Sequence, residues 1–294
     1  MNTGRSRRVI LVALTAALLG TIVSTSPESR VLMPPRVDTS AAGEFVWHDL
    51  VTHDPAASRA FYAALFGWTF EEADGIDPGY TIITHGGRPI GGIVLLQPRN
   101  GEEIVAQWLS YVAVSDVDRV TKVFQQAGGR VFRGPLNARK DLRVAVVADA
   151  QGAPLGLASR GPRLEAETPP GLHHWLWREY VARDPAAALT FYREALGFEH
   201  EVHETRENFT YYLLATDQPR AGLFLSPWKH ERSVWLPYVR VADPDASAAR
   251  AVELGGTILL QPRPEVRGGS LAIVLDPTGA PLALQKYPFD GGRQ

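Results

Sequence analysis

Cysteine is absent from this chain of 294 residues. That excludes disulfides, thiolate metal ligands, a cysteine nucleophile and a lipid-modified N-terminal cysteine. Lysine is scarce, standing only at positions 122, 140, 229 and 286. An excess of one charge is also missing: the formal net charge is -2, so nothing marks the chain as a nucleic-acid binder. Long apolar runs are missing too, apart from Val9 to Val23, and that run is shorter than the roughly 20 residues a membrane-spanning helix requires.

That run has a telling setting. Arg5, Arg7 and Arg8 precede it and a Ser/Thr/Pro patch follows at Ser24 to Pro27, the order of an export signal. Ser6-Arg7-Arg8-Val9-Ile10-Leu11 is similar to a twin-arginine signal. No Ala-x-Ala cleavage site is present, so membrane attachment through residues 9–23 is the alternative to release. Residues 1–30 are therefore expected to be an export signal or N-terminal anchor, and 31–43 a tether, placing the protein in the cell envelope or outside the cell.

The rest of the chain is a duplication. Asp54-Pro55-Ala56-Ala57, Phe61-Tyr62 and Gly67 return as Asp184-Pro185-Ala186-Ala187, Phe191-Tyr192 and Gly197. Trp108 to Val112 is answered by Trp235 to Val239, and Gly152-Ala153-Pro154-Leu155 by Gly279-Ala280-Pro281-Leu282. A single change of register, between Gly91-Gly92 and Trp108, relates the copies. Repeats this long are duplicated domains rather than a short-period solenoid. They are expected over 44–161 and 172–289, joined by the linker 162–171 and followed by the tail 290–294.

Within one copy, Phe45 to Thr52 reads as a strand and Asp54-Pro55 as a helix cap with a first-turn proline. Ala57, Ala60, Phe61, Ala64 and Leu65 share one helix face, and Gly67 ends the helix. Strands are expected at Trp68 to Glu72, Tyr80 to Thr84 and Pro89 to Leu96. The order then starts again with a strand from Trp108, a helix capped by Asp116, and strands near Val131, at Arg143 to Ala148 and at Leu155 to Ala158. Each copy is thus two βαβββ modules. Asp54, Asp116, Asp184 and Asp243 stand at the helix starts and are read as caps.

This arrangement, with Asp-Pro ahead of Phe-Tyr and Gly, resembles the vicinal oxygen chelate superfamily, which includes glyoxalase I, extradiol dioxygenases and bleomycin-binding proteins. Trp47-His48-Asp49-Leu50, Phe61 to Trp68 and Asp149-Ala150-Gln151-Gly152-Ala153 are most similar to a two-domain actinobacterial group of glyoxalase-like proteins loosely named hydroxylases. The resemblance implies an α+β fold of tandem glyoxalase-like domains, each a curved mixed sheet around a cavity. It also implies internal pairing of the two domains, with no oligomer required.

Metal-dependent members of that superfamily place His or Glu ligands seven residues before each helix-opening Asp and seven after the Asp of the last turn. Here those positions hold Trp47, Leu109 and Gly156 in one copy, and Trp177, Leu236 and Ala283 in the other. None is a metal donor, so no metal and no cofactor is expected. His48 is one residue out of register, on the opposite strand face, and Arg178 answers it in the second copy. His173, His174, His200, His203 and His230 look scattered.

Positions two residues further along point to the same side of the sheet. They are Asp49, Tyr111 and Ala158 in the first copy, and Glu179, Tyr238 and Gln285 in the second. With Trp47 and Trp177 they suggest an aromatic cavity with a few polar groups, made roomier by Gly156 and Ala283 and suited to a small-molecule ligand. Asp49 and Glu179, in such surroundings, are candidate general bases or partners of buried polar groups. Three functions remain open: a metal-free binder of a planar or aromatic small molecule; a metal-free lyase, isomerase or hydrolase using Asp49 or Glu179 as base; and a metal-dependent lyase or dioxygenase.

Overall fold

The computed structural model describes residues 42–72, 80–96, 105–139, 142–159, 170–207, 209–228 and 232–287. The expected export signal or anchor, the tail, and all but the ends of the tether and linker lie outside the described residues, as does His230. No helix among the described residues is long and apolar enough to cross a membrane.

The first domain runs β1 (Phe45–Thr52), α1 (Pro55–Phe66), β2 (Thr69–Glu72), β3 (Tyr80–His85), β4 (Arg88–Leu95), β5 (Gln107–Ala113), α2 (Val117–Gln126), β6 (Arg130–Arg139), β7 (Leu142–Ala148) and β8 (Pro154–Ala158). The second repeats it as β9 (Trp175–Ala182), α3 (Pro185–Leu196), β10 (Glu199–Arg206), β11 (Phe209–Ala215), β12 (Pro219–Leu225), β13 (Val234–Arg240), α4 (Pro244–Glu253), β14 (Thr257–Leu260), β15 (Leu271–Leu275) and β16 (Pro281–Gln285). Each domain forms an open eight-stranded mixed sheet, ordered β2-β3-β4-β1-β5-β8-β7-β6 in the first and β10-β11-β12-β9-β13-β16-β15-β14 in the second. The α+β tandem expected from the repeat is therefore present, as two βαβββ modules per sheet.

The four helix starts obey one local rule. Asp54, Asp116, Asp184 and Asp243 each accept from the backbone N–H three residues on, at 2.9 to 3.0 Å, satisfying a donor that the first turn leaves orphaned. Gly67 and Gly197 end α1 and α3 in the left-handed conformation, at φ 70° and 71°. β6 outlasts the short strand expected near Val131, because bulges let it keep pairing with β7 beyond Gly134 and Pro135. The copies also slip by a residue where one change of register was expected. Tyr80 pairs with Val94 and Tyr211 with Phe224, so the β3–β4 hairpin is one residue longer than β11–β12.

Alternation along the central strands sorts side chains between two environments. Trp47, Leu109, Tyr111 and Ala158 cluster on the concave face of the first sheet, and Leu236, Tyr238, Ile273 and Ala283 on that of the second. The opposite faces do not form separate cores. One apolar cluster joins Val112, Phe124 and Leu155 to Tyr192, Phe198 and Leu223; another joins Phe61, Tyr62 and Trp108 to Val239, Val274 and Leu284. The domains pair internally by sharing core, back to back.

Polar contacts lock this junction. Asp149 Oδ2 accepts from the hydroxyls of Tyr180 (2.5 Å) and Tyr192 (2.7 Å) of the other domain. Asp276 reciprocates by accepting from Ser58 Oγ at 3.4 Å. His48 and Arg178, equivalent positions of the two copies, meet each other: His48 Nε2 accepts from Arg178 Nη2 at 2.9 Å and Nε at 3.2 Å. Burial, then the Arg178 charge, hold the His48 imidazole well below its usual pKa, so it is neutral and its Nδ1–H donates to Ser110 Oγ at 2.9 Å. A strictly repeated sequence would set two like groups face to face here, and divergence to His and Arg turns repulsion into a hydrogen bond.

Candidate functional site

Each concave face is built on a carboxylate from its first strand. In the first domain Asp49 Oδ1 accepts from Trp47 Nε1 and from Tyr80 OH, both at 2.8 Å. Its Oδ2 is buried and has no hydrogen-bond partner. Burial pushes Asp49 up to about 6, against the opposing pull of the Tyr80, Trp47 and Tyr111 groups. Burial, then the neighbouring Asp49 charge, raise Tyr80 and Tyr111 well above the usual phenol range, so both hydroxyls keep their protons.

Two glycines shape this arrangement. A Cβ at Gly92 would collide with the Tyr80 hydroxyl, and one at Gly156 with the Tyr111 ring. The cavity expected above Gly156 is thus a correction: the missing side chain makes room for Tyr111, which fills it. Trp47, Asp49, Tyr80 and Tyr111 are all buried, none more than 4% exposed.

In the second domain the same kinds of group are arranged differently. Glu179 Oε1 accepts from Tyr211 OH at 2.8 Å, and Trp177 Nε1 donates to that hydroxyl at 3.0 Å. Glu179 Oε2 accepts from Tyr238 OH. Arg267 then forms an ion pair with Glu179, and its Nη1 donates to Gln285 Oε1 at 2.8 Å. The guanidinium carbon stands 5.6 Å from the Tyr211 ring centre and 5.5 Å from that of Tyr238. Gln285 is itself held by donating to Ser270 Oγ at 2.9 Å.

This face is also more open. Phe209, Tyr211 and Phe224 form a stacked wall, with centroids 6.4 Å and 6.3 Å apart along Phe209–Tyr211–Phe224 and interplanar angles of 27° and 21°. Phe209 is exposed and Trp177 and Phe224 are half-buried. Val94 stands opposite Tyr80 where Phe224 stands opposite Tyr211, so among the described residues the first domain does not repeat this wall.

The structure therefore gathers Trp47, Asp49 and Tyr111 on one face, and Trp177, Glu179, Tyr238 and Gln285 on the other. Sequence reasoning missed Tyr80, Tyr211, Phe209, Phe224 and Arg267. Gly92 and Gly222 were the available signals for the two tyrosines, since glycine inside a strand marks a close approach; each lies under a tyrosine hydroxyl. Arg267 stands nine residues before Asp276, as Lys140 does before Asp149, and Lys140 lies outside the described residues. The histidines are a further correction. His173 and His174 are not scattered but gather around His85, with centroids 6.0 and 4.7 Å from it, because the start of the second domain packs against the β3–β4 turn.

The positions at which the superfamily binds a divalent ion do not fit one here. Leu109 and Leu236 offer no donor, Trp47 and Trp177 direct their N–H bonds to Asp49 and Tyr211, and the Tyr111 ring lies against Gly156. Among the described residues no group of three or more His, Asp or Glu is placed to hold a metal.

Comparison with known proteins follows the same lines. Residues 179–285 match a glyoxalase-like domain, and residues 44–86 match the N-terminal part of bleomycin-resistance-like proteins. CFP32 of Mycobacterium tuberculosis, named provisionally as a glyoxylase, is 30% identical over 245 residues, covering 82% of this chain and 93% of its own. The anthracycline biosynthesis protein DnrV of Streptomyces peucetius is 33% identical over 273 residues, covering 86% and 98%. Among solved structures, the Mn(II)-bound glyoxalase of Novosphingobium aromaticivorans superposes with a TM-score of 0.55 at 14% identity, covering 86% of each chain. A variant of homoprotocatechuate 2,3-dioxygenase from Brevibacterium fuscum does so at 0.56 and 17%, covering 86% and 73%. At such identities these two superpositions speak for the fold alone.

Proposed function

Because this chain belongs to the vicinal oxygen chelate superfamily, with glyoxalase-like domains whose ligand positions carry no donors, we propose that it binds a planar aromatic small molecule without a metal, on the concave face of its second domain. The observation that carries this is the stack of Phe209, Tyr211 and Phe224, in which Phe209 is exposed and Phe224 half-buried beside half-buried Trp177, whereas Trp47, Asp49, Tyr80 and Tyr111 of the first domain are all buried. Aromatic rings present large apolar faces at low entropic cost and stack on a flat ligand. DnrV carries anthracycline biosynthesis in its name, and an anthracycline is a fused planar ring system of the shape such a wall accepts.

Titration of the full chain with a hydroxyanthraquinone, followed by quenching of tryptophan fluorescence, tests this reading. Saturable binding is expected, weakened about tenfold by Phe209→Ala, the loss of one stacking contact of about 1.4 kcal/mol, and untouched by Val94→Ala. Affinity lost through Val94→Ala but not Phe209→Ala would move the site to the first domain and sink the proposal.

A second reading, proton transfer by Asp49, is favoured by its partnerless buried Oδ2 and a pKa pushed up to about 6, which suit a general base near neutral pH. It requires a motion that opens the first concave face to substrate.

A further inference from the structure

One pair of side chains at the shared junction is arranged for a single protonation state. His48 reaches it from β1 and Arg178 from β9, and each meets an aromatic ring of the other domain. Trp175 lies with its centroid 4.2 Å from the imidazole, and Phe45 with its centroid 5.4 Å from the guanidinium carbon. His48 is fully buried and Arg178 half-buried. Beside them Trp175 Nε1 donates across the junction to the Ile90 carbonyl at 2.7 Å.

Both imidazole nitrogens are committed. Nδ1–H donates to Ser110 Oγ, and Nε2 accepts from Arg178 Nη2 and Nε at 2.9 and 3.2 Å. A protonated imidazole has two donors and no acceptor, and a guanidinium has no acceptor either. A proton on Nε2 would therefore aim an N–H at N–H groups and set two cations at hydrogen-bond distance, where burial strengthens their repulsion. Around His48 stand Ser110 of β5, the Gly91 backbone of β4, and Trp175 and Arg178 of β9. Of these Arg178 alone is charged, and Glu44, ahead of β1, is the carboxylate that acts on Arg178. Burial and Arg178 hold the closed-state pKa of His48 below the ordinary 6.5. The closed junction thus binds the proton less tightly than an opened one, and closure is fully favoured above 6.5 and weakens as pH falls below it.

We propose that His48 and Arg178 form an acid-sensitive latch between the two domains: on taking up a proton His48 ceases to accept from Arg178 and repels it, and the back-to-back junction loosens between β1 and β9. Along each strand the latch residue lies between two residues of a concave face, Trp47 and Asp49 in β1, Trp177 and Glu179 in β9. Loosening the latch therefore reaches both faces.

The Trp175 indole N–H reports the junction directly, through its exchange with deuterium followed by NMR on the full chain and corrected for the exchange rate of free indole. Asp49 and Asp149, both raised by burial, titrate with the opposite sign, and His173, lowered like His48, with the same sign. The comparison is therefore made between Asp49→Asn and Asp49→Asn/His48→Gln, which share Asp149 and His173. Glutamine offers Arg178 an acceptor, Oε1, that does not titrate. Relative to the His48→Gln chain, protection of the Trp175 N–H is expected to fall about tenfold per pH unit below 6.5, one proton being taken up per opening. Arg178→Gln, whose amide can accept from or donate to the imidazole, should shrink that slope, and it keeps the test standing if the melting temperature shows that His48→Gln does not fold. Equal slopes with and without His48, or a slope that Arg178→Gln leaves unchanged, overturns the latch.

Discussion

On the first concave face a carboxylate lies with one oxygen between Trp47 and Tyr80 and the other without a hydrogen bond; on the second, both oxygens of the carboxylate are engaged, by Tyr211, Tyr238 and Arg267. The tryptophan, the acid and the two tyrosines are common to both. What differs lies around them: Gly156 against Ala283, Asp49 against Glu179, Ala158 against Gln285, Val94 against Phe224, and Arg267 in the second domain. Glycine lets the Tyr111 ring settle onto β8, whereas Ala283 bears a Cβ and Tyr238 meets the longer Glu179 directly. These differences together separate a buried site with an acid oxygen that has no hydrogen bond from a partly exposed face with a braced cation.

The contrast is sharpened most by removing that cation. Arg267→Met alone strands the buried Glu179 charge and is expected to cost about 3 kcal/mol, the low end for breaking a buried pair because Arg267 is partly exposed. Denaturant unfolding measures this, and adding Glu179→Gln should recover most of it. A loss below about 0.5 kcal/mol would mean the pair behaves as a surface one.

Asp49 offers the next effect, with the opposite sign. Its folded pKa is raised, from 3.8 to about 6, so the native state binds the proton more tightly than the unfolded chain. Its contribution is therefore neutral below about pH 4 and becomes a penalty as pH rises through 6, reaching about 3 kcal/mol when the acid is ionised. Asp49→Asn keeps an acceptor for Trp47 and Tyr80 and adds a donor in place of Oδ2. It should flatten the dependence of stability between pH 4 and 6 and stabilise the chain at pH 8, in chemical denaturation across that range. An unchanged slope would place the titration elsewhere.

The smallest effect tests where the domains are alike. Asp54→Ala and Asp184→Ala each remove one cap and should cost about 1 kcal/mol apiece, equally in the two domains. Unequal losses would show that the helices differ in support despite the repeated sequence.

Much of the fold was legible because it rests on local chemistry. The capping aspartates, the Gly67 and Gly197 stops and the alternation in β1 and β9 are each written in a handful of adjacent residues. The repeat then doubled every such signal. The carboxylates and tyrosines of the sites were legible through strand periodicity, which says which side a residue faces. Periodicity does not say how far a side chain reaches. Tyr80 and Tyr211 escaped because a one-residue difference between hairpins hid their equivalence. Arg267 escaped because it comes from a turn whose direction only its left-handed backbone sets.

The sequence alone determined two βαβββ pairs, the residues facing each concavity, and the absence of donors at the superfamily's metal positions, since all of these follow from order and period along the chain. Tertiary structure decided the rest. It showed that the domains share their cores, that His48 meets Arg178, that Tyr111 fills the space above Gly156 while Arg267 pairs with Glu179, and that Phe209, Tyr211 and Phe224 stack into one wall in the second domain. Each of these depends on distances between side chains far apart in sequence, and local periodicity carries no information about those distances.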